Sequence, residues 1–432
     1  MPQAKSDRKK THAPYQPRLQ GLEPKNQPKP AAPRTRQQKK QTDCKLNSED
    51  HDSSAIDLSI TIPISLQQLL LDVFKTALFT RSPVSTQSTD TLDAASEPDN
   101  ARPDATEGAQ LDTKSLVQTI KTHLYQRDFD SAFTEADDSL LRVYALRWSA
   151  ARALGYAGIF KAVLRYMRAE QGLTANTRVV SIGGGAGAEI VALGAVWRDL
   201  HDGVEGLGDR LEKVSLKSSD ETEPPKPASL DVVAVDIADW SSVIDRLQKT
   251  MGSSNVPTPR SSKHQPPLTG SNASEGGLSV SFLRTDVLTI SEPELKDVLH
   301  GTATATTPPS LLVTLMFTLN ELFSTSMAKT TGLLLRMTEL LPPGAVLLVV
   351  DSPGSYSSLK LGKDGVAQER NYPMKFLLDH TLLSVAEGKW ERVLSQDSRW
   401  WRRDTTRLRY EVGEGAGLED MRYQVHLYKR LT

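Results

Sequence analysis

Residues 179–189 read Val179-Val180-Ser181-Ile182-Gly183-Gly184-Gly185-Ala186-Gly187-Ala188-Glu189. Strand-forming residues lead into a cluster of glycines, and a helical run from Ile190 to Trp197 leads out of it. Glycine lets the backbone turn tightly and lets a ligand approach it, while the start of the following helix offers N–H groups with no intrahelical partner. A strand, a glycine turn and a helix in that order form a seat for a nucleotide-like ligand. A tight turn without a ligand is the plainer reading of the same residues.

Outward from this stretch, short β-rich runs alternate with helical ones. The strand candidates are 178–182, 230–235, 279–284, 311–317, 345–350, 390–395 and 421–430, with helical segments at 187–199, 239–250, 291–299, 319–341 and 373–384. Such alternation predicts an α/β protein with a doubly wound, mostly parallel sheet of seven strands. The third to fifth runs are almost continuously apolar, as suits parallel strands covered on both faces. In the last run Tyr423, Val425 and Leu427 alternate with Arg422, Gln424, His426 and Tyr428, which suits a closing antiparallel strand. Ahead of the sheet, 63–79 is helical behind a proline. Residues 137–170 open with the capping candidates Asp137, Asp138 and Ser139 and are expected to divide into two helices at Gly155 and Gly158. The chain thus reads as an N-terminal helix at 55–80, a helical layer at 114–172 and a ligand-binding domain at 173–432.

The whole chain, 432 residues, balances 52 Lys and Arg against 53 Asp and Glu, which excludes a uniformly basic nucleic-acid binder. The balance hides an asymmetry. Residues 1–43 hold eleven basic and three acidic side chains, +8, and leave −9 for the rest. With few apolar residues, the tail 1–54 is expected to be disordered, and its charge suits phosphate attraction, a nuclear address or simple solvation. The stretches 81–113, 203–229 and 250–278 lack apolar periodicity and read as disordered linker or insertions. Cys44, the single cysteine, cannot form an internal disulfide, and no Cys/His cluster has zinc spacing, so no metal is expected and the compartment is expected to be reducing. No run reaches the roughly 18 apolar residues of a membrane span, and Met1 is not followed by an apolar signal core. A soluble, intracellular protein is expected.

Two carboxylates follow strands in chain order. Asp236 ends the 230–235 run, where a carboxylate can accept two hydrogen bonds from ribose hydroxyls. It lies 49 residues after Gly187, and setting aside the 27 residues of 203–229 leaves 22, close to the usual separation of about 20. Asp286, with Val287 beside it, follows the 279–284 run at the same edge of the sheet. In an open α/β sheet that edge is the ligand crevice. A lone Asp after a strand also serves as a cap or turn residue.

Gly183-x-Gly185-x-Gly187, then Asp236, then Asp286, then an apolar strand leading to Thr318-Leu319-Asn320-Glu321-Leu322-Phe323 and a late antiparallel strand resemble the Rossmann-like S-adenosylmethionine-dependent methyltransferases over about residues 140–432. Within that class, Tyr144-Ala145-Leu146-Arg147-Trp148, Ser181 to Gly185, Phe317 to Ser324 and Val350-Asp351-Ser352-Pro353-Gly354-Ser355 are similar to the fungal 25S ribosomal RNA uridine-N3 methyltransferases. The resemblance implies S-adenosyl-L-methionine held by Ser181, Gly183, Gly185, Gly187, Asp236, Asp286 and Val287, and large-subunit ribosomal RNA or a pre-ribosome as partner, in the nucleus or nucleolus with the cytoplasm as a further location. One departure is Ser181, which stands where an acidic residue is often found. A carboxylate for the methionine amino group then comes from elsewhere, or a hydroxyl and backbone carbonyls substitute.

Methyl transfer from a sulfonium demands mainly alignment, and uridine N3 must lose a proton from an edge that base pairing would hide. Glu321 or Asp351 is the candidate proton acceptor and Asn320 the candidate contact to the uracil edge. Alternatively Asn320 and Glu321 cap the following helix and Asp351 begins a Ser-Pro-Gly turn. Between Trp390 and Tyr410, six arginines alternate with Trp400, Trp401 and three acids, a mixture that suits stacking on unpaired bases, or tryptophans packed on the sheet beside solvated arginines. Two other functions fit parts of the pattern. Gly183-x-Gly185-x-x-Ala188 matches an NAD-dependent oxidoreductase fingerprint, and a non-catalytic RNA-binding assembly factor can use the same fold.

Overall fold

The computed structural model describes residues 56–79, 111–171, 176–212, 229–269, 277–301, 309–354, 356–361 and 368–431. The chain divides into Met1–Asp50 and His51–Thr432, and the description concerns the second. The basic tail 1–54 and residues 81–110 of the expected linker lie outside the described residues.

Helix α1 (Ile64–Phe74) follows Pro63, and a π-helical turn, Lys75–Phe79, extends it. Helix α2 (Thr113–Gln126) is capped by Asp112, whose side chain accepts from Ser115 N–H at 3.1 Å. Helix α3 (Asp138–Tyr144) is capped in the same way by Asp137, which takes the Leu140 N–H at 2.7 Å. It runs through the π-helical turn Ala145–Ser149 into α4 (Ala150–Gln171).

The expected break at Gly155 and Gly158 is absent, because α4 continues through both. These glycines answer to close packing instead. A Cβ on Gly158 would lie 2.7 Å from the Ile60 carbonyl oxygen, and one on Gly155 would lie 2.4 Å from Met421 Cε.

Strands β1 (Thr177–Ile182), β2 (Leu230–Asp236), β3 (Leu278–Arg284), β4 (Ser310–Met316), β5 (Val346–Asp351), β8 (Trp390–Trp401) and β9 (Met421–Arg430) form one sheet in the order β3-β2-β1-β4-β5-β9-β8. A separate antiparallel hairpin, β6 (Tyr356–Leu361) and β7 (Gln368–Pro373), follows β5 and had no signature in the apolar pattern. The first five sheet strands run parallel, and β9 enters antiparallel between β5 and β8. Strands β2 and β3 are added on one side of β1 and β4 and β5 on the other, so a crevice opens between the carboxyl ends of β1 and β4.

The connecting helices are α5 (Ala188–Glu212), α6 (Ser241–Met251), α7 (Glu292–His300), α8 (Leu319–Thr325), α9 (Met327–Leu340) and α10 (Met374–Asp379). Strand alternation sorts them onto two faces. Val179, Val232, Ala234 and Leu312 face α1, α4, α5 and α6, while Val180, Ile182, Val233 and Val313 face α7, α9 and α10. The expected helix at 319–341 is two helices, because Ser326 turns to extended backbone and caps α9 through its hydroxyl.

The structure corrects several expectations. Helix α5 continues to Glu212, into the expected insertion 203–229. The expected insertion 250–278 is folded over 251–269, since Val256 and Leu268 are buried in the first core and the buried His264 meets Ser65 Oγ at 2.6 Å. Strand β3 is the sheet's edge and alternates half-buried with exposed residues, so it is not covered on both faces. Strand β9 is antiparallel as expected, but it is internal, and Gln424, His426 and Tyr428 are buried along with their apolar neighbours. The helical layer 114–172 is also no separate unit, because α4 shares one core with the sheet.

Alanine usually gains about 1 kcal/mol over glycine inside a helix. At Gly158 the clash with the Ile60 carbonyl reverses that sign, and Gly158→Ala is expected to lower stability by about 1–3 kcal/mol in chemical denaturation.

Candidate active site

The glycine loop departs from β1 with Gly183 at φ +78° and ends with Gly187 at φ +81°, both in the left-handed region that glycine occupies without strain. Its glycines lie against their neighbours with no room for side chains. A Cβ on Gly183 would be 2.2 Å from Thr318 Oγ1, and one on Gly185 would be 2.1 Å from Trp240 Cδ1 and 2.8 Å from Asp236 Oδ2. Gly183 N–H donates to the Val235 carbonyl at 2.7 Å, fixing the loop to the end of β2.

Asp236 is the hinge of this arrangement. Its Oδ2 accepts from Gly185 N–H at 3.1 Å and its Oδ1 from Ala238 N–H at 3.2 Å. Burial raises its pKa, and the hydrogen bonds from Ala238, Gly185 and Trp240 oppose the rise. The side chain stays half-buried, and each oxygen retains acceptor capacity. Ser181 is fully buried beneath Gly184, with its Oγ unpartnered, so its hydroxyl is not presented to the crevice. Asp286 stands at the carboxyl end of β3, where its side chain takes the Leu288 N–H at 2.9 Å and the Thr289 hydroxyl at 3.0 Å. Val287 turns into the second core. The pair therefore builds a turn at the crevice's outer end.

On the other side of the crevice, Phe317 follows β4 at φ +60°, a conformation rare for a bulky residue. Helix α8 begins immediately after, and its N-cap, Thr318, makes no side-chain cap. Asp351 supplies the cap from the end of β5: its Oδ2 accepts from Asn320 N–H at 3.0 Å, and its Oδ1 accepts from Ser352 N–H at 2.7 Å. Asp351 is thus occupied in joining two elements. Neither Asn320 nor Glu321 caps the helix. Asn320 Oδ1 is buried without a partner, and Glu321 lies in the first turn. Glu321 is exposed at the surface, yet desolvation by surrounding protein, with the charges of Asp351 and Asp236, pushes its pKa up to about 7 against the pull of Arg152.

The sequence reading missed two members of this edge. Arg152 of α4 donates to the Tyr144 hydroxyl at 3.0 Å, and its guanidinium lies 5.0 Å from the centre of the Phe317 ring. Burial opposes its charge, but Tyr144, Tyr156 and Glu189 hold its pKa above the ordinary value. Glu189 is buried in the first turn of α5, and desolvation, with the Asp236 charge, raises its pKa to about 7. A lone acid in the apolar run Ala188 to Val196 was the available signal for Glu189.

The donor set fits S-adenosylmethionine. Asp236 offers acceptor capacity for vicinal hydroxyls and the glycines of residues 183–187 offer open backbone, while the buried Glu189 adds a carboxyl group in the first turn of α5. A family model described as a SAM-dependent methyltransferase matches residues 99–429, most of the chain. The chain belongs to this family. The methyltransferase is 32% identical over 320 residues, 72% of its length and 76% of the other, to the 25S rRNA (uridine(2843)-N(3))-methyltransferase of Saccharomyces cerevisiae. Among solved structures it overlaps a SAM-dependent methyltransferase from Methanosarcina mazei (11% identity, 60% of this chain and 94% of that one, TM-score 0.30). Another is the N-methyltransferase NodS from Bradyrhizobium japonicum in complex with S-adenosyl-l-homocysteine (10% identity, 73% and 98%, TM-score 0.29). The methyltransferase's own strand order, not these distant overlaps, defines its architecture. Family membership replaces the oxidoreductase reading of the glycine loop.

The run from Trp390 to Tyr410 divides between its two readings. Trp390 is buried and donates to Thr338 Oγ1 at 2.9 Å, Tyr410 reaches the Leu146 carbonyl at 2.9 Å, and Trp401 packs on the first core. Trp400 alone of these is 51% exposed, with the Arg402 guanidinium 4.0 Å and that of Arg422 5.7 Å from its ring centre. Beneath this surface, Ser395 Oγ meets His426 Nδ1 at 2.9 Å, His426 Nε2 meets Gln424 Oε1 at 3.0 Å, and Gln424 Nε2 donates to the Ser352 carbonyl at 2.8 Å. Burial pushes the His426 pKa down to about 4.

Asp236→Ala is expected to weaken S-adenosylmethionine binding by about 1.5–3 kcal/mol in titration calorimetry while the protein stays folded. His426 predicts a pH dependence of stability. Between about pH 4 and 6.5 the unfolded chain binds a proton that the folded chain does not, so stability is complete above 6.5 and is lost as pH falls toward 4. In His426→Gln, denaturation midpoints at about pH 7, above that window, and about pH 4.5, near its lower end, are expected to lie closer together than in the wild type.

Proposed function

We propose that this methyltransferase modifies N3 of a uridine in large-subunit ribosomal RNA. The observation that carries the reading is the start of α8 at the carboxyl end of β4, where Asp351 fixes the Asn320 N–H, Asn320 Oδ1 is buried without a partner and Glu321 stands next in the chain. The name of the yeast relative supplies the base and the atom. S-adenosylmethionine, when bound, supplies an electrophilic methyl group. The chain's task is to align the base, hold its edge and remove one proton. Glu321 accepts the N3 proton, the electron pair left on N3 takes the methyl group, and the amide of Asn320 orients the uracil edge. Asp351 acts as a positioning residue by fixing the start of α8. Because N3 is hidden in a base pair, the uridine is unpaired or extruded when it reacts.

The net charge of +8 in residues 1–43 supports a role in attracting RNA phosphates and in directing the protein to the nucleus and nucleolus, where pre-ribosomes would be its substrate. The decisive test is nucleoside mass spectrometry of large-subunit RNA after incubation with the pure protein and S-adenosylmethionine. 3-Methyluridine is the expected product, and any other methylated nucleoside, or none, rejects the assignment.

The pH profile follows from the same geometry. A base must be ionised to act, so the single-turnover rate is expected to rise as pH increases through about 7 and to level above it. Glu321→Gln is expected to slow the reaction by about 100-fold or more and to erase that inflection.

A further inference from the structure

Beside the crevice, a pocket of about 180 Å³ opens between the start of α4 and the residues that lead into β9. Arg147, Trp148, Arg152, Phe317, Met421 and Arg422 line it. Glu419 and Asp420 also border it, but each is ion-paired, Glu419 with Arg147 and Asp420 with Arg402 at 2.6 Å. The wall thus carries three arginines, and the Arg147 guanidinium lies 5.3 Å from the centre of the Trp148 ring. Arg147 is only 6% exposed, its remaining nitrogens reach Gly417 O and Glu419, and its Nε–H is buried with no acceptor. A buried guanidinium N–H left unsatisfied is costly and points to an acceptor that the protein does not contain.

The pocket adjoins the reacting edge through Phe317 and Arg152. Phe317 precedes Thr318, which touches the glycine loop, and Arg152 is electrostatically coupled to Glu321 and Glu189. The Trp148 ring lies 4.9 Å from that of Tyr144, which lies 5.7 Å from Trp240 over Gly185. Aromatic faces and cationic donors in a small cavity suit a flat ring edged with acceptors. Uracil is such a ring, since N3 is flanked by two carbonyl oxygens. Cytosine replaces one of them with an amino donor, which an arginine cannot accept. Removal of the N3 proton spreads negative charge onto both oxygens, where guanidinium groups stabilise it.

Resting on the uridine reading above, we propose that this pocket receives the extruded uracil base. Arg147 and Arg152 meet its carbonyl oxygens, Trp148 stacks on its ring, and Arg422, beside the exposed Trp400, guides the flanking strand.

Single-stranded RNA carrying one 4-thiouridine, irradiated with near-ultraviolet light in the presence of the full chain, tests the placement directly. Mass spectrometry is expected to locate the cross-link within residues 147–152 or 421–422, and cross-links confined to other parts of the chain overturn the proposal. Kinetics supply the second arm. Arg147→Lys is expected to lower kcat by about 100-fold, the effect of removing one aligned donor, and Trp148→Ala by about 10-fold, with S-adenosylmethionine affinity unchanged. Trp148→Phe is expected to recover most of the rate, which a general loss of folding would not permit. Wild-type kcat in both Arg147→Lys and Trp148→Ala also overturns the pocket. Normal formation of 3-methyluridine with cross-links elsewhere rejects the pocket alone, whereas a cross-link in place without 3-methyluridine rejects the choice of base and atom and retains the pocket as a nucleobase site.

Discussion

The carboxyl edge of the sheet depends on the close approach of residues 183–187 to the ends of β2 and β4. Gly185 N–H reaches Asp236, Gly183 N–H reaches Val235, and Thr318 lies where a Cβ on Gly183 would stand. A side chain on Gly183 would collide with Thr318 after β4, and one on Gly185 with Asp236 and Trp240 at the end of β2. The bareness of the loop therefore does two things, leaving backbone for a ligand and holding Asp236, Trp240 and Thr318 at the spacing that the crevice requires.

Charge is the second organising factor. Arg152 is the cation that acts on Glu189 and Glu321, and both carboxyl groups also feel the negative charge of Asp236. Desolvation by the surrounding protein and the charge of Asp236 outweigh this one guanidinium, so the buried Glu189 and the more exposed Glu321 both move up to about 7. Asp351 is held differently, by backbone N–H groups from both α8 and its own turn. Neighbouring carboxylates thus sit in different surroundings, Asp351 set in place by hydrogen bonds and Glu321 with its pKa raised by desolvation.

Much of this edge was legible in the sequence because it rests on local rules. A β-rich run before glycines gives a strand and a turn, an acid after the next strand gives Asp236, and alternation fixes the parallel sheet. What stayed hidden depends on contacts distant in sequence. Gly155 and Gly158 look like helix breakers until Met421 and Ile60 are seen beside them. Residues 251–269 look like an insertion because they are held by Ser65, Arg198 and buried Leu268, not by a periodic pattern. Arg152 is one arginine among several on a long helix, and only the fold brings it to Phe317 and Glu189. The hairpin of β6 and β7 carries no apolar alternation, since its pairing is along the backbone.

The contact between Ser65 on α1 and His264 in the loop after α6 ties the first described helix to a connection beyond β2. Together with the shared core of α1, α4, α5 and α6, it makes the helices ahead of the glycine loop part of the sheet's covering layer. Cutting the chain near residue 172, where composition changes, would not release a smaller working enzyme. It would remove α1 and α4 from the core they share with α5 and α6, so selection on the catalytic edge also acts on residues more than a hundred positions upstream of it.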